Sequence, residues 1–560
     1  MRRYRALGLF ALTVGFAVLL GDFTDAAVPQ TKKEKRLLRK QAAKQALAIA
    51  KSTTPVEPIT GPVGPKDALA LTRLIDRQIA KKLAEAKMES SPRCSDEEFL
   101  RRVYLDLTGT IPSAEKTQAF LDDTNSSKRA KLIDELLDSP GFGRHLADIW
   151  QAKLLPRESG NRFVLREPFA KWLEDQFNHN LPWNQFVFKL VSASGTVEDN
   201  PAVTYFLTNR SVDKLTDGVC QNFLGIQLAC AQCHNHPFAD YKQTEYWGMA
   251  QFFSKVRPDN PRNANKGGDN TKIGVRELTV RSKTKDFFPE GAKTVHAKFL
   301  GGAEPKLTAN EPYRPILARW MTAPNNPYFA RAIVNRTWAM LFATGIVNPI
   351  DDMHDGNAAS HPELLALLAR NFAANGFDLK YLFRAICNSQ TYQRSSKPIT
   401  ANEKDDHLFS HMTVKVMSPE QLYDSLVKVT GGTDRDRPGR KAKAAGKKGP
   451  VNGRDGFVQF FLAGAETSHA TEYDAGIPQA LRLMNSRVTG NPALIRQFFT
   501  PGDRPATVIE RLYLTALSRR PTATETARLT SYVARAATPV DAYGDILWAI
   551  LNSSEFTMIK

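Results

Sequence analysis

Apolar residues recur three and four positions apart along most of this 560-residue chain, which is the spacing of amphipathic helices. One predicted helix begins after Ser95, which forms a capping box with Glu98, and ends at Gly109. Similar capping pairs predict two later helix starts, at Ser360 with Glu363 and at Ser418 with Gln421. The tryptophans on these periodic segments are predicted to be mostly core: Trp150, Trp172, Trp183, Trp320, Trp338 and Trp548. The predicted fold class is mainly α.

The helical pattern is interrupted between residues 258 and 311, where Lys, Gly and Asn are frequent and apolar and polar residues alternate over 275–280. This stretch predicts a small β-rich insert or hinge. It separates two predicted helical domains, residues 67–257 and residues 312–560, each of ordinary domain size. Inside the second domain, the Gly/Lys-rich run 431–456 predicts a disordered loop.

The first 66 residues differ from the rest. Residues 1–26 are typical of a secretory signal peptide, because arginines precede an apolar run that small residues follow. That run is shorter than the ~20 residues of a membrane span, and no later stretch is long and apolar enough to span. Residues 27–66 predict a disordered, basic, low-complexity tether and linker that could contact an anionic surface. We therefore expect an exported (secreted) protein of the periplasm or cell envelope.

The net charge of +18 is unevenly distributed. The signal contributes +3, the segment Lys32–Lys51 contributes +7 and the segment Asp434–Asp455 contributes +5. The rest of the chain is therefore close to neutral, and the charge implies no nucleic-acid-binding face. The five cysteines are too few to form a disulfide framework for a chain of this length.

The sequence Cys-Ala-Gln-Cys-His at residues 230–234 carries the strongest chemical signal. In the C-x-x-C-H pattern, two thiols bind haem c covalently and the imidazole that follows is an axial iron ligand. In this interpretation Cys230 and Cys233 bind the haem and His234 is the proximal ligand. Three other interpretations stay open: a disulfide, a zinc site that also uses His236, or a packed turn without a cofactor.

A haem would also need apolar surroundings and a second axial ligand. The apolar residues near the motif are Phe223, Leu224, Ile226, Leu228, Phe238, Trp247 and Phe252. The candidates for the second axial ligand are Met249, Met321, Met340, His145 and His179. His236 is too close to His234 in sequence to reach the opposite haem face, so we expect it to bind a propionate or cap a turn.

A second polar cluster offers different chemistry. Asp351, Asp352, His354 and His361 combine carboxylates and imidazoles that could support hydrolytic metal or acid/base catalysis. They also precede a predicted helix, where such residues commonly cap and turn the chain. The alternatives to a haem protein are thus a non-haem metal-binding protein or hydrolase, and an envelope scaffold without a cofactor. The sequence has no phosphate-cradling glycine loop, nucleophile elbow or dinucleotide fingerprint.

Several motifs resemble a known pair of domains. Those of the first half resemble the second planctomycete-type cytochrome C domain, a family of unknown function: residues 102–109, 111–112, 180–186 and 223–238. Those of the second half are similar to the planctomycete-specific domain that usually follows it: residues 326–331, 335–336, 348–349, 351–352, 360–365, 391–393 and 547–553. Two departures are Tyr241, where the family commonly has Trp, and residues 357–359, where a Pro-rich approach is usual.

The sequence and the resemblance together favour an exported c-type haem protein with an electron-transfer or redox role in the envelope. Its expected partner is a redox or envelope protein. Enzymatic and non-enzymatic functions both stay open.

Overall fold

Helices make up most of the architecture in the computed structural model, which confirms the predicted mainly α fold class. The structure describes residues 67–156, 164–259, 270–277, 295–302, 304–308, 310–431, 453–462, 492–500 and 502–560. The predicted signal and tether, residues 1–66, lie outside the described residues, as do residues 432–452 of the predicted loop. The last residues of that loop are described, and they begin a helix at Gly453.

The helices of the first half are α1 (Ala68–Glu85), α2 (Asp96–Thr108), α3 (Ala114–Asp122), α4 (Lys128–Asp138), α5 (Pro140–Leu154), α6 (Arg166–Asn178), α7 (Trp183–Val191), α8 (Thr204–Thr208), α9 (Val212–Val219) and α10 (Gln243–Ala250). Helix α2 has the predicted ends. The Ser95 side chain accepts a hydrogen bond from the Glu98 backbone N–H, and Gly109 ends the helix at φ 69°. The Glu98 carboxylate pairs with Arg102, so only half of the predicted capping box forms.

The helices of the second half are α11 (Arg314–Met321), α12 (Phe329–Phe342), α13 (Pro362–Ala374), α14 (Leu379–Cys387), α15 (Pro419–Val429), α16 (Gly453–Leu462), α17 (Pro492–Ile495), α18 (Pro505–Leu517), α19 (Ala523–Arg535), α20 (Pro539–Leu551) and α21 (Ser554–Thr557). The predicted capping box of Ser418 and Gln421 is confirmed at the start of α15. The one predicted for Ser360 is wrong, because the Ser360 hydroxyl donates to the Ile346 carbonyl and α13 begins at Pro362 without a side-chain cap.

The strands form two small antiparallel sheets. One contains β1 (Gly195–Thr196), β3 (Gly274–Glu277) and β2 (Val256–Asp259), in that order, with Pro258 opposite Val275. The other pairs β4 (Lys415–Val416) with β5 (Met558–Ile559). Strands β2 and β3 provide the β structure predicted near residue 258, and most of the remaining predicted insert lies outside the described residues.

The main apolar core draws on both halves of the chain. It extends from Ala68 in α1 to Met412, and α1 packs against α13 and α14. A second cluster joins Leu105 of α2 to the residues from Met417 to Ile559. The division into two domains stays a prediction, and the described helices of both share a continuous core.

The tryptophans divide into two groups. Trp150, Trp183 and Trp338 are buried, as predicted, and the Trp150 and Trp183 rings lie 4.7 Å apart. Trp172 and Trp320 are partly buried against the same core. Trp548 is the exception, at 37% exposed on α20, so the prediction that most of these tryptophans are core is confirmed.

Polar side chains of α2 also connect the two halves. Buried Arg101 donates to the carbonyl oxygens of Ala516 and Phe556 at 2.8 and 2.6 Å. The buried Asp106 carboxylate accepts from the Tyr392 hydroxyl at 2.8 Å and pairs with the Lys415 ammonium group. Buried charges need such partners, so α2 depends on residues of the second half to fold.

Candidate functional site

The C-x-x-C-H motif follows an unusual helix end. Helix α9 continues into a wider π-helical turn, Cys220–Leu224, which Gly225 ends at φ 70°. A Cβ at Gly225 would lie 3.2 Å from the Ala332 Cβ and 3.3 Å from the Met353 Cε. Glycine is therefore required here twice, for its left-handed backbone and for the close approach of the second half of the chain.

The two thiols lie on a tight turn. Ala229–Gln232 form one turn of 3₁₀ helix, with the Ala231 side chain buried and its N–H bonded to the Leu228 carbonyl at 2.9 Å. The Gln232 carbonyl accepts from the Trp247 indole N–H at 3.1 Å. Cys230 and Cys233 on this turn are exposed and are not joined in a disulfide. Both thiols are therefore accessible on an anchored stretch of backbone.

His234 has the arrangement of a ligand held ready for a metal. Its ring is exposed, and Nδ1 lies 2.7 Å from the carbonyl oxygen of Asn235. A carbonyl can only accept, so Nδ1 carries the proton and Nε2 keeps its lone pair. Within the described residues Nε2 has no hydrogen-bond partner. Metal-binding histidines commonly donate their second nitrogen to a backbone carbonyl in this way.

His236 is bound within the loop. Its Nδ1 accepts from the backbone N–H groups of Phe238 and Ala239 at 3.2 and 2.9 Å, so its proton is on Nε2. Burial, followed by the nearby His354, lowers the pKa of His236. A zinc site that uses His236 stays a prediction, and a metal bound at Nδ1 would require the hydrogen bonds from Phe238 and Ala239 to break.

The side chains of Cys230, Cys233 and His234 are suited to hold a covalently attached haem. The apolar residues near the motif are less suited to surround one. Six of the seven apolar side chains predicted near the motif are packed in the core: Phe223, Leu224, Ile226, Leu228, Trp247 and Phe252. Phe238 is 65% exposed. A haem on Cys230 and Cys233, which are exposed, would thus not be enclosed by these six side chains.

The candidates for a second axial ligand have varied surroundings. Met249 and Met321 are fully buried in the core, and Met340 packs against it. His145 is buried against Gly109, and burial lowers its pKa to about 4. His179 is exposed at the end of α6, with Nδ1 close to the Asp175 carbonyl oxygen. None of these observations selects one of them, and the set stays a prediction.

No preformed zinc tetrahedron occurs at the motif. Among the described residues, the group of three candidate ligand atoms that lie within 4.8 Å of one another is Asp405, Asp406 and His407, in another loop. The Asp405 carboxylate there accepts backbone N–H groups, among them those of Leu408 and Ser410. This cluster is a capped turn.

The second polar cluster consists of Asp351, Asp352, His354 and His361. Parts of it pack near the Cys/His motif, and its members differ in burial and in hydrogen-bond partners. The Asp351 carboxylate is buried and accepts from the side-chain amides of Gln221 at 2.8 Å and Gln227 at 3.1 Å. The Arg336 guanidinium group lies 3.8 Å away. Both oxygens of this buried carboxylate accept hydrogen bonds from protein side chains. Asp351 is therefore placed to stabilise the fold, whereas a catalytic carboxylate would need access to solvent or substrate.

The side chains of Asp352 and His354 are more exposed than that of Asp351. His354 Nε2 lies 3.6 Å from Asp352 Oδ2, and His354 Nδ1 accepts from the Gly356 N–H at 3.1 Å. The rings of His354 and His236 are 6.2 Å apart. The structure therefore brings one histidine of each predicted cluster together.

His361 is separate from the others. It is 2% exposed, packs 5.4 Å from the Phe409 ring and lies 3.0 Å from the Ser360 hydroxyl through Nδ1. Burial lowers the pKa of His361 to about 4, so the ring is neutral at physiological pH. The four predicted residues of this loop are not gathered at one point.

Sequence reasoning did not find Gln221, Gln227 and Arg336, which connect the two clusters. The Gln221–Asp351 and Gln227–Asp351 bonds join residues that are 130 and 124 positions apart. No local spacing signals such a pair. The sequence indication was the occurrence of Arg336 and Asp351 in motifs of the second domain.

Two family models match the chain. PSCyt2, described as a protein of unknown function (DUF1549), matches residues 74–258, and PSD1, described as a protein of unknown function (DUF1553), matches residues 313–474. The Cys/His loop (residues 229–241) lies in the first range and the Asp/His loop (residues 351–361) lies in the second. No curated protein and no solved structure matches the chain. No helix in the described part of the chain has the length and apolarity to cross a membrane.

Proposed function

We propose that this chain, which belongs to the planctomycete proteins with the paired domains of unknown function PSCyt2 and PSD1, is an exported c-type haem protein. Its proposed role is electron transfer at the cell envelope. The observation that carries the proposal is the arrangement of three side chains. Two free, exposed thiols lie on one anchored turn, and His234 follows them with Nδ1 fixed and Nε2 open.

The attachment step needs only what these residues supply. Cys230 and Cys233 would each hold the haem through a thioether, formed by adding S–H across one vinyl group, so that no oxidant or reductant would be consumed. His234 would provide an imidazole nitrogen to the iron, with its Nδ1–H still bonded to the Asn235 carbonyl. When bound, haem supplies one-electron transfer.

The exposure of the site suits a role in electron exchange. Cys230, Cys233, His234 and Phe238 are all exposed, so the group would be accessible to a partner protein. The described part of the chain does not enclose these residues tightly, as a site for catalysis on a bound small molecule would require. A redox partner of the envelope is therefore the expected interacting molecule.

The test is expression of the exported chain with a c-type cytochrome maturation system, followed by a visible spectrum and haem staining on a denaturing gel. The proposal predicts a Soret band and a stained band, both lost in the Cys230→Ser/Cys233→Ser double variant. Asp240→Asn, a change at an exposed residue of the same loop, serves as the matched control and should retain the stain.

Two other outcomes would each replace the proposal. A colourless protein that releases stoichiometric zinc to a chelator would establish the non-haem metal site. A colourless, metal-free protein whose double variant differs from wild type only in stability would establish a scaffold.

A further inference from the structure

The Asp/His loop contacts the base of the Cys/His loop through one buried carboxylate. Asp351 Oδ2 accepts from Gln221 at 2.8 Å and Oδ1 accepts from Gln227 at 3.1 Å. These two glutamines lie on either side of Gly225, the residue at which the chain turns toward Cys230. Asp351 therefore bridges the two ends of that turn.

The backbone repeats the connection. The Met353 N–H donates to the Gly225 carbonyl at 2.8 Å, and Arg336 Nη2 donates to the Gln221 carbonyl at 3.2 Å. The turn around Gly225 thus makes four hydrogen bonds with the second half of the chain, which restrict its motion. The conformation of this turn therefore depends on residues of the second half.

Asp351 is itself held in place by helix α12. The Asn335 side-chain amide donates to the carbonyls of Val347 and Ile350 at 2.8 and 2.9 Å, and its oxygen accepts from the Val347 N–H at 2.9 Å. These bonds fix the backbone immediately before Asp351. The bridge thus connects a rigid helix to the turn.

The bridge continues into the motif. Gln227, held by Asp351 through its side chain, is followed by Leu228, whose carbonyl accepts from the Ala231 N–H at 2.9 Å. Two hydrogen bonds, joined by the Gln227–Leu228 peptide bond, therefore connect Asp351 to the turn that carries Cys230.

We infer that Asp351 is a positioning residue of the Cys/His loop, and that the second domain completes the site of the first. The carboxylate would set the loop conformation in which the two thiols and His234 are presented together. The inference deepens the proposed function and rests on it only for the role of the loop. The positioning itself is testable on haem-free protein.

The test compares amide hydrogen exchange of wild type and Asp351→Asn, both without haem. Asparagine keeps the shape but presents an N–H₂ group to a glutamine amide. We expect the Ala231 and His236 amides, both hydrogen-bonded within the loop, to exchange about tenfold faster or more, while α1 exchanges at the wild-type rate. Asp355→Asn, at an exposed residue of the same Asp/His loop, is the control and should leave both regions unchanged.

Rescue separates positioning from general stability. In the Asp351→Asn/Gln227→Glu double variant, the carboxylate and the amide exchange places, so the pair and the charge near Arg336 are restored. Exchange of the loop amides should return to within about threefold of wild type. If Asp351→Asn does not fold, Gln227→Met removes one arm of the bridge, leaves Asp351 beside Arg336, and should give the same local effect.

Three results would overturn the inference: unchanged loop exchange in both single variants, equal acceleration in α1 and the loop, or no recovery in the double variant. A loop that behaves as expected in a protein that never binds haem would uphold the positioning role and reject the proposed function. The two conclusions can thus fail separately.

Discussion

Arg102 Nε donates a hydrogen bond to the carbonyl oxygen of Lys560 at 2.6 Å, across 458 positions of sequence. The same guanidinium group donates to the carbonyls of Tyr392 and Arg394 and pairs with Glu98 at 2.6 Å. Its side chain is fully buried. One arginine of α2 thus satisfies acceptors from three separate parts of the chain.

The Arg102→Met variant should lower the free energy of unfolding by about 3–5 kcal/mol, because Glu98 and several carbonyls lose a buried charged partner. Chemical denaturation followed by circular dichroism measures the change. The control is Arg73→Met, at an exposed position of α1, which should stay within about 0.5 kcal/mol of wild type. Equal effects of the two variants would show that the Arg102 contacts do not stabilise the fold.

Gly225 should tolerate alanine less well than Gly376 does. Both have positive φ, 70° and 74°, but a Cβ at Gly376 meets nothing within 4 Å, whereas one at Gly225 meets Ala332 and Met353. Gly376→Ala should cost about 1 kcal/mol from backbone strain alone. Gly225→Ala should cost roughly 1 kcal/mol more, from overpacking. Paired denaturation curves measure the difference, and equal costs would exclude a tight contact at Gly225.

The His234→Ala variant should separate attachment from ligation. In the proposed haem protein the thioether bonds would depend on the two cysteines, so the haem stain on a denaturing gel should persist. The visible spectrum of the native variant should change, because the iron would lose its proposed proximal imidazole. His407→Asn, at an exposed histidine in another loop, should leave the spectrum unchanged. An unaltered spectrum in His234→Ala would assign the proximal position to another residue.

Asp217 should make stability depend on pH. Burial raises the pKa of Asp217 to about 6, and the nearby Asp213 carboxylate raises it as well. The unfolded value is about 3.9, so the stability that Asp217 contributes is fully present below about pH 4 and is lost as the pH rises through 6. Asp217→Asn should therefore have a higher thermal midpoint than wild type above pH 6, and the difference should shrink toward zero near pH 4.

Thermal unfolding between pH 4 and pH 8 provides this comparison. Asp240→Asn, in the exposed part of the Cys/His loop, should follow the wild-type curve at every pH. A constant offset between Asp217→Asn and wild type would mean that the Asp217 carboxyl keeps its ordinary pKa in the fold.

Local signals were read correctly from the sequence where the structure uses local contacts. Ser95 and Ser418 begin helices and Gly109 ends one, as predicted, because their partners lie within four positions. The capping prediction for Ser360 is wrong, since its hydroxyl bonds to Ile346 on a neighbouring turn. Most of the tryptophans are core as predicted, and the exposed Trp548 shows that periodicity identifies a helix face without showing what covers it.

The sequence predicted the residues of the Cys/His motif but not their contact with the Asp/His loop. The motif gave Cys230, Cys233 and His234, which are all exposed on one loop. The contact between the two polar clusters was not predictable, because Asp351 meets Gln221 and Gln227 only through the packing of α12 against the turn before the motif. Such contacts have no periodicity in sequence.

The buried carboxylate of Asp106 has a consequence for the order in which the chain can fold during synthesis. Its partners, Tyr392 and Lys415, follow it by 286 and 309 positions, so they leave the ribosome long after α2 does. Until then α2 carries an uncompensated negative charge that opposes its burial. A first half that packed before those partners emerged would therefore bury the Asp106 carboxylate unpaired, at a cost in free energy.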